Sequence, residues 1–181
     1  MLIGAIVLLC VALDRVTKDL AQRTLSQSET RSLLGGVLTL TYAENRGAFL
    51  GLGASLPSSL RFALSLLANA VIIGWGLVLI VRTASIDIPR LISVAALVGG
   101  GVGNLIDRVH NGGAVVDFVV LRVGPLQTGV FNVADVAITG GALALAVLAF
   151  WEGRPPHGQR VPEPTEEDGE PIAASRNEKG A

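Results

Sequence analysis

Four stretches of the chain carry the apolar pattern of membrane-crossing helices. Between Arg61 and Arg82 lie 20 uncharged residues, Phe62 to Val81, and about 20 mostly apolar helical residues suffice to cross a hydrocarbon core about 30 Å thick. Leu91 to Ile106 and Val136 to Trp151 are each 16 uncharged residues, and each reaches spanning length once the Asp or Arg at its border enters the helix. Met1 to Leu13 is too short alone, but continued as a helix to about Gln22 it sets Asp14 and Lys18 on one face at i, i+4. The pattern predicts a mainly α membrane protein with four transmembrane helices in residues 1–151.

Two segments break the helical period. In Leu33-Leu-Gly-Gly-Val-Leu-Thr-Leu-Thr-Tyr42, Val37, Thr39 and Thr41 alternate with Leu38, Leu40 and Tyr42, the period of a strand. In Val109 to Val130, Asn111-Gly112-Gly113 precedes Val115-Val-Asp-Phe-Val-Val120 and Gly124-Pro125 follows it, which reads as turn, strand, turn. Both segments follow odd-numbered spans. They therefore emerge on one side and predict a small β-containing cap, from about 31–55 and 109–130, over one mouth of the bundle.

Composition supports this division. Of 181 residues, 50% are hydrophobic and 16% charged, with mean hydropathy +0.57, where a soluble domain carries about 25% charged residues. Eleven of the 29 charges and five of the eight prolines fall in residues 152–181, which predicts a disordered hydrophilic tail. A single cysteine, Cys10, excludes a disulfide framework and a Cys-based zinc site. It reads as a small buried hydrophobe, because Leu9 precedes it where a lipoprotein signal would place a small residue. With two histidines and net charge −1, neither a metal centre nor a nucleic-acid footprint is indicated. Charge bias leaves orientation open. Arg82, Arg90, Arg154 and Arg160 lie on one side, and Arg15, Lys18, Arg23, Arg31, Arg46, Arg61, Arg108 and Arg122 on the other, so the positive-inside rule alone would put the cap in the cytoplasm.

Ionisable groups beside membrane spans are costly and mark function. Here Asp14, Lys18, Asn45, Asn104, Asp107, Arg108, Asp117, Asn132 and Asp135 all fall on the side of the cap. Asp107, Asp117 and Asp135 are three carboxylates in a stretch otherwise nearly free of acids. Two such groups close together share one proton, so that one can deprotonate a water while the other protonates a scissile carbonyl. An aspartic peptidase needs only that pair and a water, with no metal or cofactor. Plainer roles compete. Asn132-Val-Ala-Asp135 suits a helix N-cap with an acid in the first turn, Asp107-Arg108 suits a neutralised pair at a helix end, and Asp14 with Lys18 suits a buried ion pair. Gly99-Gly-Gly-Val-Gly103 suits close helix packing better than a phosphate loop. Asp117, set among valines, is the hardest to explain structurally.

Five ordered motifs, Asp14-x-x-x-Lys18, Asn45-Arg-Gly-Ala-Phe49, Gly103-Asn-Leu-Ile-Asp-Arg108, Val115-Val-Asp-Phe118 and Phe131-Asn-Val-Ala-Asp135, resemble the lipoprotein signal peptidases (signal peptidase II) across about residues 10–150. The resemblance implies that Asp117 and Asp135 are the catalytic dyad and that Asp107 supports them. It implies that Asn45, Asn104, Arg108 and Asn132 line the site, and that Asp14 and Lys18 are the polar pair of the first helix. It further implies four helices with both termini in the cytoplasm, a site near the outer face of the cytoplasmic membrane, and sensitivity to the cyclic peptide globomycin. The implied substrate is a diacylglyceryl-modified prolipoprotein, cut just before its lipidated cysteine. A monomer is expected. The rival readings are a small proton-coupled transporter, a Gly-x-Gly-Asp peptidase, for which Asn104 stands where Asp is required, and a membrane scaffold.

Overall fold

In a computed structural model the described residues are 1–25, 30–47, 55–82 and 87–152. The predicted tail after Glu152 and part of the predicted cap, residues 48–54, lie outside them. Four helices carry the chain: α1 (Leu2–Thr24), α2 (Ser58–Arg82), α3 (Ile88–His110) and α4 (Val133–Glu152). At about 1.5 Å per residue, each is long enough to cross a bilayer core. Three are also apolar enough, with mean hydropathies of 2.4, 1.4 and 2.1 for α2, α3 and α4. In α3 and α4 the bordering charges do enter the helix: Asp107 and Arg108 in the first, Asp135 in the second. The α1 helix holds Asp14, Arg15, Lys18, Asp19 and Arg23, too many charges to qualify by composition.

Burial is inverted relative to a soluble protein. Large apolar side chains such as Leu8, Leu9, Leu64, Leu67, Trp75, Leu143 and Phe150 are exposed, whereas Asp14, Lys18, Asp107, Asp117 and Asn132 are buried. Such a surface suits a hydrocarbon solvent, because it leaves the polar groups to satisfy one another inside.

The centre of the bundle is α3. Its run Gly99-Gly-Gly-Val-Gly103 lets three neighbours approach closely. A Cβ on Gly99 would lie 2.8 Å from Cys10 Cβ of α1, one on Gly101 3.0 Å from Ile73 of α2, and one on Gly100 would overlap the Ala134 carbonyl of α4. Small residues drive association where lipid supplies no hydrophobic force between helices. Gly100→Ala is therefore expected to lower stability by about 1–3 kcal/mol through overpacking. It should also push Ala134 and Asp135 off α3. Thermal unfolding in detergent checks the loss of stability.

The cap is a four-stranded antiparallel sheet, β1 (Thr30–Leu33), β2 (Leu38–Asn45), β3 (Val115–Val123) and β4 (Leu126–Gln127), in that order. The single strand expected over 33–42 is in fact two strands joined by a tight 3₁₀ turn at Leu34–Gly36. Gly35 and Gly36 adopt φ of +65° and +94°, a backbone region that glycine enters without steric cost, and the chain reverses there. The β2 strand then runs on to Asn45. Between Leu40 and Ala43 a bulge interrupts its pairing with β3, and bulges re-aim the side chains beyond them. Leu40 and Tyr42 pack with Phe118, Val119 and Val133 against Ala21 and Leu25 at the end of α1. That cluster seats the sheet on the bundle.

Candidate active site

Helix ends and the sheet meet in a layer of buried polar side chains, beginning with a charge cluster between α1 and α3. Lys18, 1% exposed, donates to Asp14 Oδ2 at 2.7 Å and Asn104 Oδ1 at 3.1 Å and forms an ion pair with Asp107 Oδ2 at 3.0 Å. Asp14 Oδ1 accepts from the Ala134 N–H at 3.0 Å, which ties α1 to the first turn of α4. Asp107 accepts from the Val116 N–H at 3.0 Å and from the Arg15 guanidinium, which ties α3 to β3 and α1. Gly103 leaves room for this cluster, since a Cβ there would sit 2.7 Å from Asp14 Oδ2. Asp14 and Lys18 thus form the buried ion pair. Asp107 is not neutralised by its neighbour Arg108, whose Nη1 donates instead to the Asn104 carbonyl at 3.2 Å.

The orientation of Asn104 follows from this cluster. An ammonium only donates, so the Asn104 oxygen must face Lys18 and its Nδ2 must face the other way. There Nδ2 donates to Asp135 Oδ1 at 2.9 Å.

Asn132 joins the two remaining carboxylates. It is the N-cap of α4: its Oδ1 accepts from the Asp135 N–H at 2.9 Å, and Asp135 Oδ2 accepts from the Asn132 N–H at 3.2 Å. This is a reciprocal capping box. The same Asn132 side chain sends Nδ2 to Asp117 Oδ1 at 2.6 Å and to Asn104 Oδ1 at 3.2 Å. The cap and the carboxylate contacts are therefore one arrangement, not alternatives. Phe131, just before Asn132, bridges to Val119 of β3, and this pairing holds the start of α4 against the strand that carries Asp117. Asn45, at the end of β2, donates to Asp117 Oδ2 at 3.0 Å and accepts from the Gly47 N–H at 3.0 Å.

Asp117 is 2% exposed, while Asp135 is half-buried in the first turn of α4. Burial, reinforced by the nearby Asp135 charge and opposed by hydrogen bonds from Asn45 and Asn132, pushes the Asp117 carboxyl up to about 7. A carboxyl in such surroundings holds its proton more tightly than a solvated one. All nine residues singled out in the sequence lie in this layer. Arg15 was not among them, although a cation three residues before Lys18 in an apolar helix needs a buried acid or a route to water.

Among the described residues no group of three or more His, Cys, Asp or Glu is placed to hold a metal ion. Fold and site together define a membrane-embedded helical enzyme class whose buried carboxylates lie under a small extramembrane sheet.

The signal peptidase (SPase) II family model matches residues 6–151. The lipoprotein signal peptidase of Syntrophomonas wolfei is 39% identical over 149 residues, which cover 81% of this chain and 91% of that protein. Its counterpart from Caldicellulosiruptor bescii is 37% identical over 148 residues, 82% and 90% of the respective chains. Two solved bacterial membrane enzymes share the fold. One has a TM-score of 0.73 at 22% identity over 87% of this chain and 92% of its own, the other 0.72 at 24% over 84% and 94%. The chain belongs to the signal peptidase II family and is a membrane-embedded protease.

Proposed function

We propose that this protein is an aspartic endopeptidase that removes the signal peptide from diacylglyceryl-modified prolipoproteins, cutting just before the lipidated cysteine with Asp117 and Asp135. One observation carries the assignment of the dyad. A single side chain, Asn132, touches Asp117 at 2.6 Å and caps the helix turn that bears Asp135.

The surroundings divide the roles. Asp135 sits at a helix N-terminus, where the backbone dipole favours a carboxylate, and both of its oxygens accept N–H donors. It is the base. Asp117, desolvated within the sheet, holds the shared proton and is the acid. Water attacks the scissile carbonyl carbon and gives a proton to Asp135, while Asp117 protonates the carbonyl oxygen. Collapse of the tetrahedral diol breaks the C–N bond; Asp135 passes its proton to the leaving nitrogen, and Asp117 recovers one from the diol hydroxyl.

The pH dependence follows with a definite sign. Because the acid must stay protonated and its value lies at about 7, kcat/KM is expected to fall as pH rises through that region. In Asn45→Ala, loss of a hydrogen bond that favours the Asp117 anion should move this alkaline limb upward. A pH–rate profile of the two proteins measures the shift, and an unmoved limb would contradict the assignment of the acid.

In this reading α1 is a fourth span, supported by its outward Leu8, Leu9, Leu13, Val16 and Leu20 and inward Asp14 and Lys18. Both termini lie in the cytoplasm and the cap faces outward, in the cytoplasmic membrane. The transporter alternative needs acids at mid-span, whereas Asp107 is in the last turn of α3, Asp135 in the first turn of α4 and Asp117 in a strand.

A further inference from the structure

The excess of cations on the cap side is largely absorbed by the structure. Arg15 and Lys18 pair with Asp107 and Asp14, Arg46 with Glu44 at 3.1 Å, and Arg122 Nε donates to Gln127 at 3.1 Å. Arg61 differs: among the described residues its Nε is buried with no hydrogen-bond partner, a state shared only by Arg108 Nε beside the carboxylates. A buried donor left unpaired forfeits its hydration without return. Beside it lies a small cavity of about 40 Å³ lined by Arg46, Ser58, Arg61, Phe62, Gly112 and Gly113.

We propose that this cavity binds a phosphate group, with the headgroup of an anionic phospholipid as its source. Three features select that chemistry. Arg46, Arg61 and Ser58 line the cavity, and guanidinium forks match phosphate geometry. By the yardstick of about 15 Å³ per water-sized group, the cavity admits about three oxygens and excludes an acyl chain. Finally, the site lies at the start of α2, on the cap side of its apolar run, the level at which lipid phosphates meet a membrane protein. Phosphate there would satisfy Arg61 Nε.

The location also gives the site a route to the carboxylates. A Cβ on Gly47 would lie 2.9 Å from the Arg61 carbonyl, so Gly47 packs directly on the first turn of α2. Gly47 N–H is held by Asn45, which donates to Asp117. On the other wall, Gly113 lies against the Phe62 ring, in the turn between α3 and β3. A phosphate bound between these walls would clamp β2 and β3 beside the site. The substrate's diacylglyceryl group bears no phosphate and does not compete for this cavity.

The test reads binding, not cleavage, so its failure is separate from failure of the peptidase assignment. The full chain in neutral detergent is titrated with short-chain phosphatidylglycerol, with inorganic phosphate and with the matching diacylglycerol, and the thermal midpoint is followed. Phosphatidylglycerol is expected to raise the midpoint and diacylglycerol is not. Arg61→Gln and Arg46→Gln should each weaken the phosphatidylglycerol effect roughly tenfold in apparent Kd, the scale of one lost hydrogen bond to a charged group. Arg46 is exposed, so its variant keeps the test alive if Arg61→Gln fails to fold. If inorganic phosphate reproduces the arginine-dependent shift at equal concentration, the site stands with free phosphate as its source. A shift unchanged in both variants, or equal with diacylglycerol, overturns it.

Discussion

Asp117→Asn and Asp135→Asn, made separately, are each expected to cut kcat/KM for a diacylglyceryl-modified prolipoprotein by about a thousandfold or more, while the protein still inserts and folds. General acid or base catalysis contributes about 10²–10⁴, and in the proposed mechanism the two groups act on the same water and carbonyl, so losing either would disable the step. The substitutions differ in what they disturb. At Asp135 an amide can no longer take a proton from water, although its oxygen can still accept from Asn104 or Asn132. At Asp117 an amide cannot transfer a proton to the carbonyl oxygen, and it turns an NH₂ toward one of the two donors, Asn45 or Asn132, that the carboxylate now satisfies. Both variants keep the volume of the side chain, so a folded, inactive protein separates chemistry from structure. Cleavage retained in either variant removes that residue from the dyad.

Lys18→Met is the second large effect, and it strikes stability as well as activity. The ammonium is shared by Asp14, Asp107 and Asn104 at 2.7–3.1 Å. Without it, Asp14 keeps only the Ala134 N–H. Removing one partner of a buried ion pair costs about 3–5 kcal/mol, or roughly 10 °C in thermal midpoint for a chain of this size. Activity should fall independently. With the ammonium gone, only the Asn132 amide holds the Asn104 oxygen, so the Asn104 amide turns more readily and presents that oxygen to Asp135, opposing its role as base. The double variant Lys18→Met/Asp14→Asn removes the orphaned charge, so it should regain stability but not activity. Recovery of both would mean that Lys18 serves the fold alone.

The features that could be read in the sequence were the local ones. Asp14 and Lys18 lie one helical turn apart, so their common inward face follows from spacing, and Asn132 and Asp135 have the i, i+3 spacing of a capping box. The glycine run of α3 has no side chains to pack, which makes it a surface for other helices to approach. What escaped depends on pairing across the chain. Arg15 meets Asp107 from 92 positions away, and only the packing of α1 on α3 selects that partner over Arg108. The reversal at Gly35-Gly36 was hidden by the apolar alternation around it, although a Gly-Gly pair inside a strand pattern is itself a turn signal. The first helix is the instructive case. Its charges defeat an average of hydropathy, yet the structure places Asp14 and Lys18 inward and leucines outward, and an average over the helix cannot separate its two faces.

The central claim is tested most directly by incubating the purified protein with one prolipoprotein in two forms, diacylglyceryl-modified and unmodified, and measuring the intact masses of the products. Cleavage of the modified form alone, at the bond just before the lipidated cysteine, is the predicted result. Equal cleavage of both forms, cleavage at another bond, or no cleavage of either would contradict it.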